Sequence, residues 1–143
     1  MKTLLAFLLL SSLTLSARAE SDKFKIIHVA DLAAELKSSR PPTVCDANND
    51  DTRQKYGVIP GAILLASSKK FDTKILPADK TTPLVFYCAN TMCMASHQAA
   101  KRAIKSGYND VSVMADGISG WAKAGQPTDK VPAAKAPAAS AKS

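Results

Sequence analysis

Between residues 24 and 127, apolar runs of strand length alternate with segments of helical pattern. Turn-forming residues such as Pro60 and Gly61 separate the runs. Alternation of this kind is typical of strands that pair in parallel beneath covering helices. We therefore predict an α/β fold with a central parallel sheet covered on both faces. The predicted strands are 24–27, 43–45, 62–65, 84–87 and 111–114, and the predicted helices are 31–36, 95–105 and 118–124.

Two further local features can be interpreted from the pattern. Asp31 stands where a helix N-cap is expected, since its carboxylate can accept a hydrogen bond from a first-turn N–H group. Residues 46–52 are polar without periodicity, which predicts a loop.

The first 19 residues differ from the rest of the chain. Lys2 is followed by an apolar run at 4–10, and Ala17-Arg18-Ala19 forms a small-residue cleavage site. This arrangement is typical of a secretory signal peptide, and the run is too short to span a bilayer. An N-terminal membrane anchor is the alternative. We expect a periplasmic or secreted protein that is soluble and does not span the membrane after cleavage.

The C-terminal residues 128–143 are almost entirely Ala, Pro, Lys and Ser, with very little to bury. Such a composition predicts a disordered tail. The chain is therefore divided into a signal peptide at 1–19, one domain at 20–127 and a tail at 128–143.

Composition and charge narrow the possible partners. With 46% apolar and 22% charged residues, the chain has the composition of a globular domain. The net charge is +7, and removal of Lys2 and Arg18 leaves 17 − 12 = +5. The cations are spread along the chain and do not alternate with aromatic residues, so nucleic-acid binding is not expected. Basic pairs such as Lys101-Arg102 are interpreted as solvated surface, and we expect a monomer without a cofactor.

The cysteines carry the candidate chemistry. Cys88 directly follows the clearest strand and precedes a loop and a helix N-terminus. Ligands bind at this position in open α/β sheets, and helix N–H groups can stabilise a thiolate there. The sequence therefore predicts a nucleophilic Cys88 with a lowered thiol pKa. Cys45 lies within a strand and is interpreted as a small apolar core residue.

Several motifs in this order resemble the rhodanese-like family. Four elements match the family's motifs in the right order. They are Val44-Cys45-Asp46 with 59–62, the strand and cysteine at 84–88, 106–108 with Val111, and 116–121 with 125–127. The resemblance implies a three-layer fold with a parallel sheet of about five strands flanked by helices. It also implies a cysteine that carries sulfane sulfur as a persulfide between a donor and an acceptor.

The sequence departs from the family pattern at the site itself. Asn48 replaces the arginine of the family's Asp-x-Arg, and Val58 replaces a histidine. Cys93 occupies the position at which the family often has an active-loop arginine, so the loop reads C-x4-C. The loop is about two residues longer than usual, with Ser96 as the predicted N-cap of the next helix. Without the arginine, thiosulfate binding is less favoured, because that anion requires positive charge.

The resulting hypothesis is sulfur transfer or thiol chemistry through a persulfide or mixed disulfide on Cys88. Cys93 is the possible resolving thiol, and the partner is a small sulfur donor or a protein thiol. A sulfurtransferase is favoured over a protein without catalytic activity. The predicted binding residues are Ala89, Asn90, Thr91, Met92 and Met94 in the loop, together with Asp46.

Two alternatives remain open. Cys88, Cys93, Met94 and His97 supply thiolate, thioether and imidazole, which are the ligands that select Cu(I), so a periplasmic Cu(I) or thiol-metal binding module is possible. The second alternative is an interaction domain that keeps the fold without catalysis, since fold does not dictate function. The sequence also leaves open whether Cys88 and Cys93 form a disulfide.

Overall fold

A computed structural model describes residues 23–131 as one central sheet with helices on both faces. The sheet has five parallel strands in the order β1-β5-β4-β2-β3, which confirms the predicted fold class. The predicted signal peptide and residues 132–143 of the tail lie outside this range. The strands are β1 (Lys25–Ile27), β2 (Thr43–Asp46), β3 (Ile63–Leu64), β4 (Leu84–Tyr87) and β5 (Val111–Met114), and the helices are α1 (Val29–Glu35), α2 (Asp50–Tyr56), α3 (Ala95–Lys105), α4 (Gly117–Lys123) and a 3-10 helix (Thr73–Ile75).

Alternation along the strands divides the core between the two faces of the sheet. Leu84 and Phe86 of β4 pack toward α3, where Ala99, Ala100 and Ala103 let the helix approach closely. Val85 and Tyr87 point to the opposite face, against residues of α1 and α4 such as Leu32 and Trp121. Neighbouring residues at the end of β4 therefore lie in different environments.

Helix α2 occupies part of the predicted polar loop. Asn49 caps it by accepting a hydrogen bond from the Thr52 N–H at 2.9 Å. Acidic residues stand in its first turn and basic residues in its last, as the helix dipole favours. The prediction failed because the helix has no apolar stripe: its one buried residue is Arg53.

The N-cap of helix α1 lies three residues earlier than predicted. His28 is its N-cap, and Asp31 lies at the third helical position, where its carboxylate accepts the His28 N–H at 2.8 Å. This is the capping-box arrangement, so Asp31 stabilises the helix start from inside the helix.

The chain after α4 remains attached to the domain up to Val131. The buried Trp121 donates its Nε1–H to the Pro127 carbonyl at 2.8 Å. Val58 and Asp129 exchange backbone hydrogen bonds at 2.8 and 2.9 Å. The ordered chain therefore runs past the predicted boundary at residue 127. None of the helices between residues 23 and 131 has the length and apolar character needed to cross a membrane.

Candidate functional site

Cys88 directly follows β4, which lies between β2 and β5 in the sheet. It continues the face occupied by Phe86 and packs toward α3, with 1% of its surface exposed. Residues 89–94 form the loop between this cysteine and α3. The structure thus places the predicted nucleophile at the carboxyl edge of a parallel sheet, where ligand sites form.

Two oxygen atoms contact the Cys88 sulfur. Its Sγ lies 3.1 Å from the Cys93 carbonyl oxygen, to which the thiol donates. It also lies 3.2 Å from the Ser96 Oγ, where either atom can be the donor. A carbonyl oxygen favours the protonated thiol, whereas the Ser96 hydroxyl can donate to a thiolate.

These surroundings raise the pKa of Cys88 instead of lowering it. Burial is the largest cause, and interaction with the Cys93 side chain adds to it. The Ser96 hydroxyl and backbone N–H act in the opposite direction. The predicted lowering of the pKa is therefore wrong for the free thiol, because desolvation outweighs the donors at the start of α3.

The structure places Cys93 next to Cys88, with the Cys93 carbonyl oxygen 3.1 Å from the Cys88 sulfur. Cys93 is half-buried, and its side chain is among the groups that shift the pKa of Cys88. All three cysteines of the chain are free thiols in this structure. The Cys93 N–H bonds to the Asn90 carbonyl at 3.1 Å, which closes a tight turn between the two cysteines.

The turn exposes the rest of the predicted binding loop. The Asn90 Oδ1 accepts the Met92 N–H at 3.0 Å, and Asn90 and Thr91 are both exposed. Met92 is 87% and Met94 is 56% exposed, so both thioethers face solvent. Ala89 is half-buried. Within residues 23–131, the N–H groups of Thr91 and Met94 make no hydrogen bond.

The start of α4 binds the backbone where the Cys88 loop begins. The Ile118 and Ser119 N–H groups donate to the carbonyls of Cys88 and Ala89 at 2.8 and 3.0 Å. Gly117 has a φ of +64°, and a Cβ there would lie 2.5 Å from the Asn90 nitrogen. The loop backbone therefore packs directly on a glycine that no larger residue can replace without movement.

Asp46 lies beneath the loop without reaching it. Its carboxylate is fully buried and accepts the Tyr87 hydroxyl at 2.7 Å and the Asn48 N–H at 2.6 Å. The Tyr87 hydroxyl in turn accepts the Ile59 N–H at 3.1 Å. Asp46 thus positions Tyr87, the residue before Cys88, and its side chain is not open to a bound ligand.

An arginine does pair with Asp46, although not from the expected position. The Arg53 Nε lies 3.4 Å from the Asp46 Oδ1. Its Nη2 donates to the backbone carbonyls of Asp46 and Leu65 at 3.2 and 2.9 Å. Arg53 on α2 therefore places a positive charge beside Asp46, while Asn48 stands at the third position of the Asp-x-Arg motif.

Ser96 and His97 lie in the first turn of α3. The predicted N-cap role of Ser96 is wrong: Met94 is the N-cap, and Ser96 is buried with its hydroxyl against Cys88. The His97 Nδ1 lies 3.5 Å from the Ser96 Oγ, and its ring meets Phe24 edge-on at 5.1 Å.

The side chains of the alternative Cu(I) site are not grouped around one point in the described part of the chain. Across residues 23–131, no three His, Cys, Asp or Glu side chains are grouped so that they could hold a metal ion. Met94 faces solvent, and His97 packs on Phe24. Cu(I) binding by Cys88, Cys93, Met94 and His97 stays a prediction.

Cys45 lies on the same face of the sheet as Cys88 but has a different environment. It is fully buried beside Phe86, its partner in the β2–β4 register. Burial, followed by the charge of Asp46, raises the pKa of Cys45 to about 12. No side chain in the described part of the chain hydrogen-bonds to it, so it serves as an apolar core residue.

Sequence reasoning missed three residues that shape the site. The sequence predicts Ser96 as the N-cap of α3, and nothing in the sequence indicates its contact with Cys88, eight residues earlier. Gly117 follows Asp116 in a turn-like pair, which signalled a turn but not a close approach to the loop. Arg53 lies in a polar segment without periodicity. Its closeness in sequence to Asp46, which ends a strand, is the one feature that could have indicated an ion pair between them.

Residues 28–124 match the family model of the rhodanese-like domain. The chain belongs to the rhodanese-like family. No curated protein sequence matches it significantly.

Solved structures share the fold of this rhodanese-like chain. The rhodanese-like domain of an Anabaena sp. protein is 21% identical with a TM-score of 0.62, and the match covers 85% of this chain and 90% of that one. The polysulfide-sulfur transferase of Wolinella succinogenes is 17% identical with a TM-score of 0.60, covering 77% and 81%. The thiosulfate sulfurtransferase of Pseudomonas aeruginosa is 22% identical with a TM-score of 0.60, covering 75% of this chain and 20% of that one. At these identities the similarity establishes the fold.

Proposed function

We propose that this protein transfers sulfane sulfur through a persulfide on Cys88. The observation that carries the proposal is the pairing of thiols at the carboxyl edge of the sheet: Cys88 ends the central strand, and the Cys93 side chain interacts with it. Membership of the rhodanese-like family supports the same chemistry. Two of the structural neighbours are named as transferases of sulfur from polysulfide or thiosulfate.

The loading step forms one S–S bond and breaks another. The Cys88 thiolate attacks the sulfane sulfur of a donor, and the donor leaves as an anion; thiosulfate would leave as sulfite. Because burial raises the pKa of Cys88, little thiolate is present at neutral pH in the free protein. Ser96 opposes this effect, since its hydroxyl and N–H can both donate to the developing charge.

The Cys93 thiol provides a route for release. Its attack on the Cys88 persulfide forms the Cys88–Cys93 disulfide and expels the outer sulfur as hydrogen sulfide. The outer sulfur is reduced, the two cysteine sulfurs are oxidised, and the two thiol protons leave with the sulfide. A protein dithiol then restores both thiols by exchange. The turn closed by the Cys93 N–H keeps the attacking thiol close to its target.

Export is the second part of the proposal. Residues 1–19 have the sequence of a signal peptide, and an oxidising compartment suits a cysteine pair that cycles between thiol and disulfide. The N-terminal sequence of the protein recovered from a periplasmic extract tests this. We expect it to begin at Glu20, and an intact Met1 in the cytoplasmic fraction would contradict export.

Intact mass tests the sulfur chemistry. The reduced protein is incubated with polysulfide or with thiosulfate, and we expect one added sulfur on Cys88 that cyanide removes. Cys88→Ser should abolish the addition, and Cys45→Ala is the matched control that should retain it. Addition in the Cys88→Ser variant would refute the assignment. So would a wild type that, with either donor, shows neither an added sulfur nor sulfide release with disulfide formation.

The Cys93→Ser variant isolates the release step. It should accumulate the Cys88 persulfide, whereas the wild type should lose sulfide and form a disulfide. Equal persulfide lifetimes in the two proteins would remove Cys93 from the mechanism while leaving Cys88 as the carrier.

A further inference from the structure

A cleft of about 320 Å³ lies along one side of α3. We call it the α3 cleft. Its wall on α3 has the spacing i, i+3, i+4, i+7, which places the residues on one face of the helix, away from the alanines that pack on the sheet. Lys69, in the segment after β3, contributes the other wall. The lining residues are Lys69, Gln98, Lys101, Arg102, Lys105 and Ser106.

The α3 cleft is cationic and lacks acidic partners. Four of its six lining residues carry a positive charge, and none is acidic. Helix α3 contains no Asp or Glu. Within residues 23–131, Lys69, Lys101 and Lys105 form no ion pair. Arg102 and Lys105 lie in the last turn of α3, where the helix dipole favours cations. Lys69, Lys101 and Lys105 are exposed, so their charges are accessible to an external anion.

Two basic side chains elsewhere in residues 23–131 have carboxylate partners. Lys25 contacts Asp110 at 3.1 Å, and Arg53 contacts Asp46 and Asp50 at 3.4 and 3.2 Å. The α3 cleft differs from these two places because four cationic side chains line it together and no carboxylate is among its lining residues.

Part of the α3 cleft is held in place before any ligand binds. Arg102 donates its Nε–H to the Phe71 carbonyl at 2.8 Å and stacks over the Phe71 ring at 5.4 Å. Its terminal nitrogens make no hydrogen bond to the described chain. Gln98 is fixed through its Oε1, which accepts the Ser68 hydroxyl at 3.3 Å. An anchored guanidinium with free N–H groups is suited to bidentate binding of a carboxylate.

We propose that the α3 cleft binds a carboxylate-rich segment of a partner protein. The wall of the cleft from Gln98 to Lys105 extends over roughly 10 Å of helix, and its cations occupy about 6 Å of that length, from Lys101 to Lys105. Lys69 adds a fourth cation across the cleft, so the set matches several carboxylates along a chain better than a single small anion. Gln98 follows Ser96 by two residues, and Ser96 contacts Cys88. Binding itself does not depend on the chemistry at Cys88.

The experiment measures the binding of a fluorescent peptide in which eight glutamates alternate with glycine. Lys101→Glu/Lys105→Glu removes the central charges of the α3 cleft. Lys37→Glu/Lys123→Glu is the matched control, because it changes the net charge equally at exposed lysines outside the α3 cleft. We expect the first variant to weaken binding at least about tenfold and the control about twofold. The Cys88→Ser variant should bind as the wild type does.

NMR titration of the wild type locates the bound peptide. Amide shifts concentrated at Lys69 and residues 98–106 would support the proposal. Equal weakening in the two charge variants, or shifts spread over the whole surface, would overturn it as general charge attraction. Displacement of the peptide by millimolar inorganic phosphate would overturn it in favour of a small-anion site. Loss of sulfur transfer in Cys88→Ser with peptide binding intact keeps this result separate from the proposed function.

Discussion

Tyr87 and Cys88 are neighbours on the chain, yet the two faces of the sheet give them opposite surroundings. The Tyr87 hydroxyl donates to Asp46 and accepts from Ile59, within a network that also includes Arg53. Cys88 meets a carbonyl and one hydroxyl, and its loop exposes two methionines to solvent. On the face that carries Tyr87, hydrogen bonds join the ends of strands to neighbouring elements. On the face that carries Cys88, the thiol contacts few polar groups and its loop is largely exposed.

The residues that hold the loop in place and the residues that can react therefore lie on opposite faces of the sheet. Every oxygen of the buried Asp46 carboxylate has a partner, so the end of β2 is held in one arrangement. That arrangement fixes Tyr87, and with it the starting point of the Cys88 loop. The loop can then carry exposed and adaptable groups without loss of position.

The largest effect is expected from Asp46→Asn. The substitution removes the buried charge partner of Arg53 and leaves only the exposed Asp50 beside it. We expect the free energy of unfolding to fall by about 3–5 kcal/mol. Urea unfolding measures the loss. Asp50→Asn is the control, because Asp50 pairs with the same arginine from an exposed position and should cost about 0–1 kcal/mol. Equal losses in the two variants would show that the buried network does not dominate this face.

Gly117→Ala is expected to have the next largest effect. A Cβ at 2.5–2.7 Å from the backbone of Ala89 and Asn90 must push the loop away, in addition to the strain of a positive φ. We expect a loss of about 2–4 kcal/mol in unfolding free energy, together with a changed rate of Cys88 alkylation. Gly125→Ala is matched in φ, at +71°, but has open space around it. If Gly125→Ala is equally destabilising, the close approach to the loop has no energetic consequence.

Tyr87→Phe separates the two faces. It removes the hydroxyl from the Asp46 and Ile59 bonds, so we expect a loss of about 1–3 kcal/mol by urea unfolding. The alkylation rate of Cys88 should change by less than about twofold, because the two side chains point to opposite faces. Tyr56→Phe is the control, since within residues 23–131 its hydroxyl makes no hydrogen bond. A large change in alkylation rate in Tyr87→Phe would mean that the two faces are coupled.

Ser96→Ala is expected to have the smallest effect, and only on the reactive face. Without the Ser96 hydroxyl the pKa of Cys88 rises further, so less thiolate is present at any given pH. The iodoacetamide rate at pH 8 should fall about three- to tenfold, and the midpoint of the pH–rate profile should move to higher pH. Ser119→Ala is the control, and Cys45, with its pKa near 12, should stay unlabelled in all variants. A rate in Ser96→Ala that equals or exceeds the wild-type rate would exclude Ser96 as a stabilising donor.

Much of the fold followed from local pattern. The strands at 84–87 and 111–114 and the helix at 95–105 have the predicted bounds, since continuous apolar runs and a small-residue helix face are local signals. Helix α2 escaped prediction because its only buried residue is an arginine, and its formation depends on the contact of that arginine with Asp46. An interaction between residues on separate elements has no periodicity to detect.

The sequence by itself determined the family, the order of the strands along the chain and the position of Cys88 after the central strand. These follow from hydrophobic periodicity and from motifs whose residues are adjacent on the chain. Only the tertiary structure decided the state of the thiol, the contact between Arg53 and Asp46, and the cationic α3 cleft. The pKa of Cys88 depends on how deeply the surrounding elements bury it and on which donors reach it, and those are properties of packing in three dimensions.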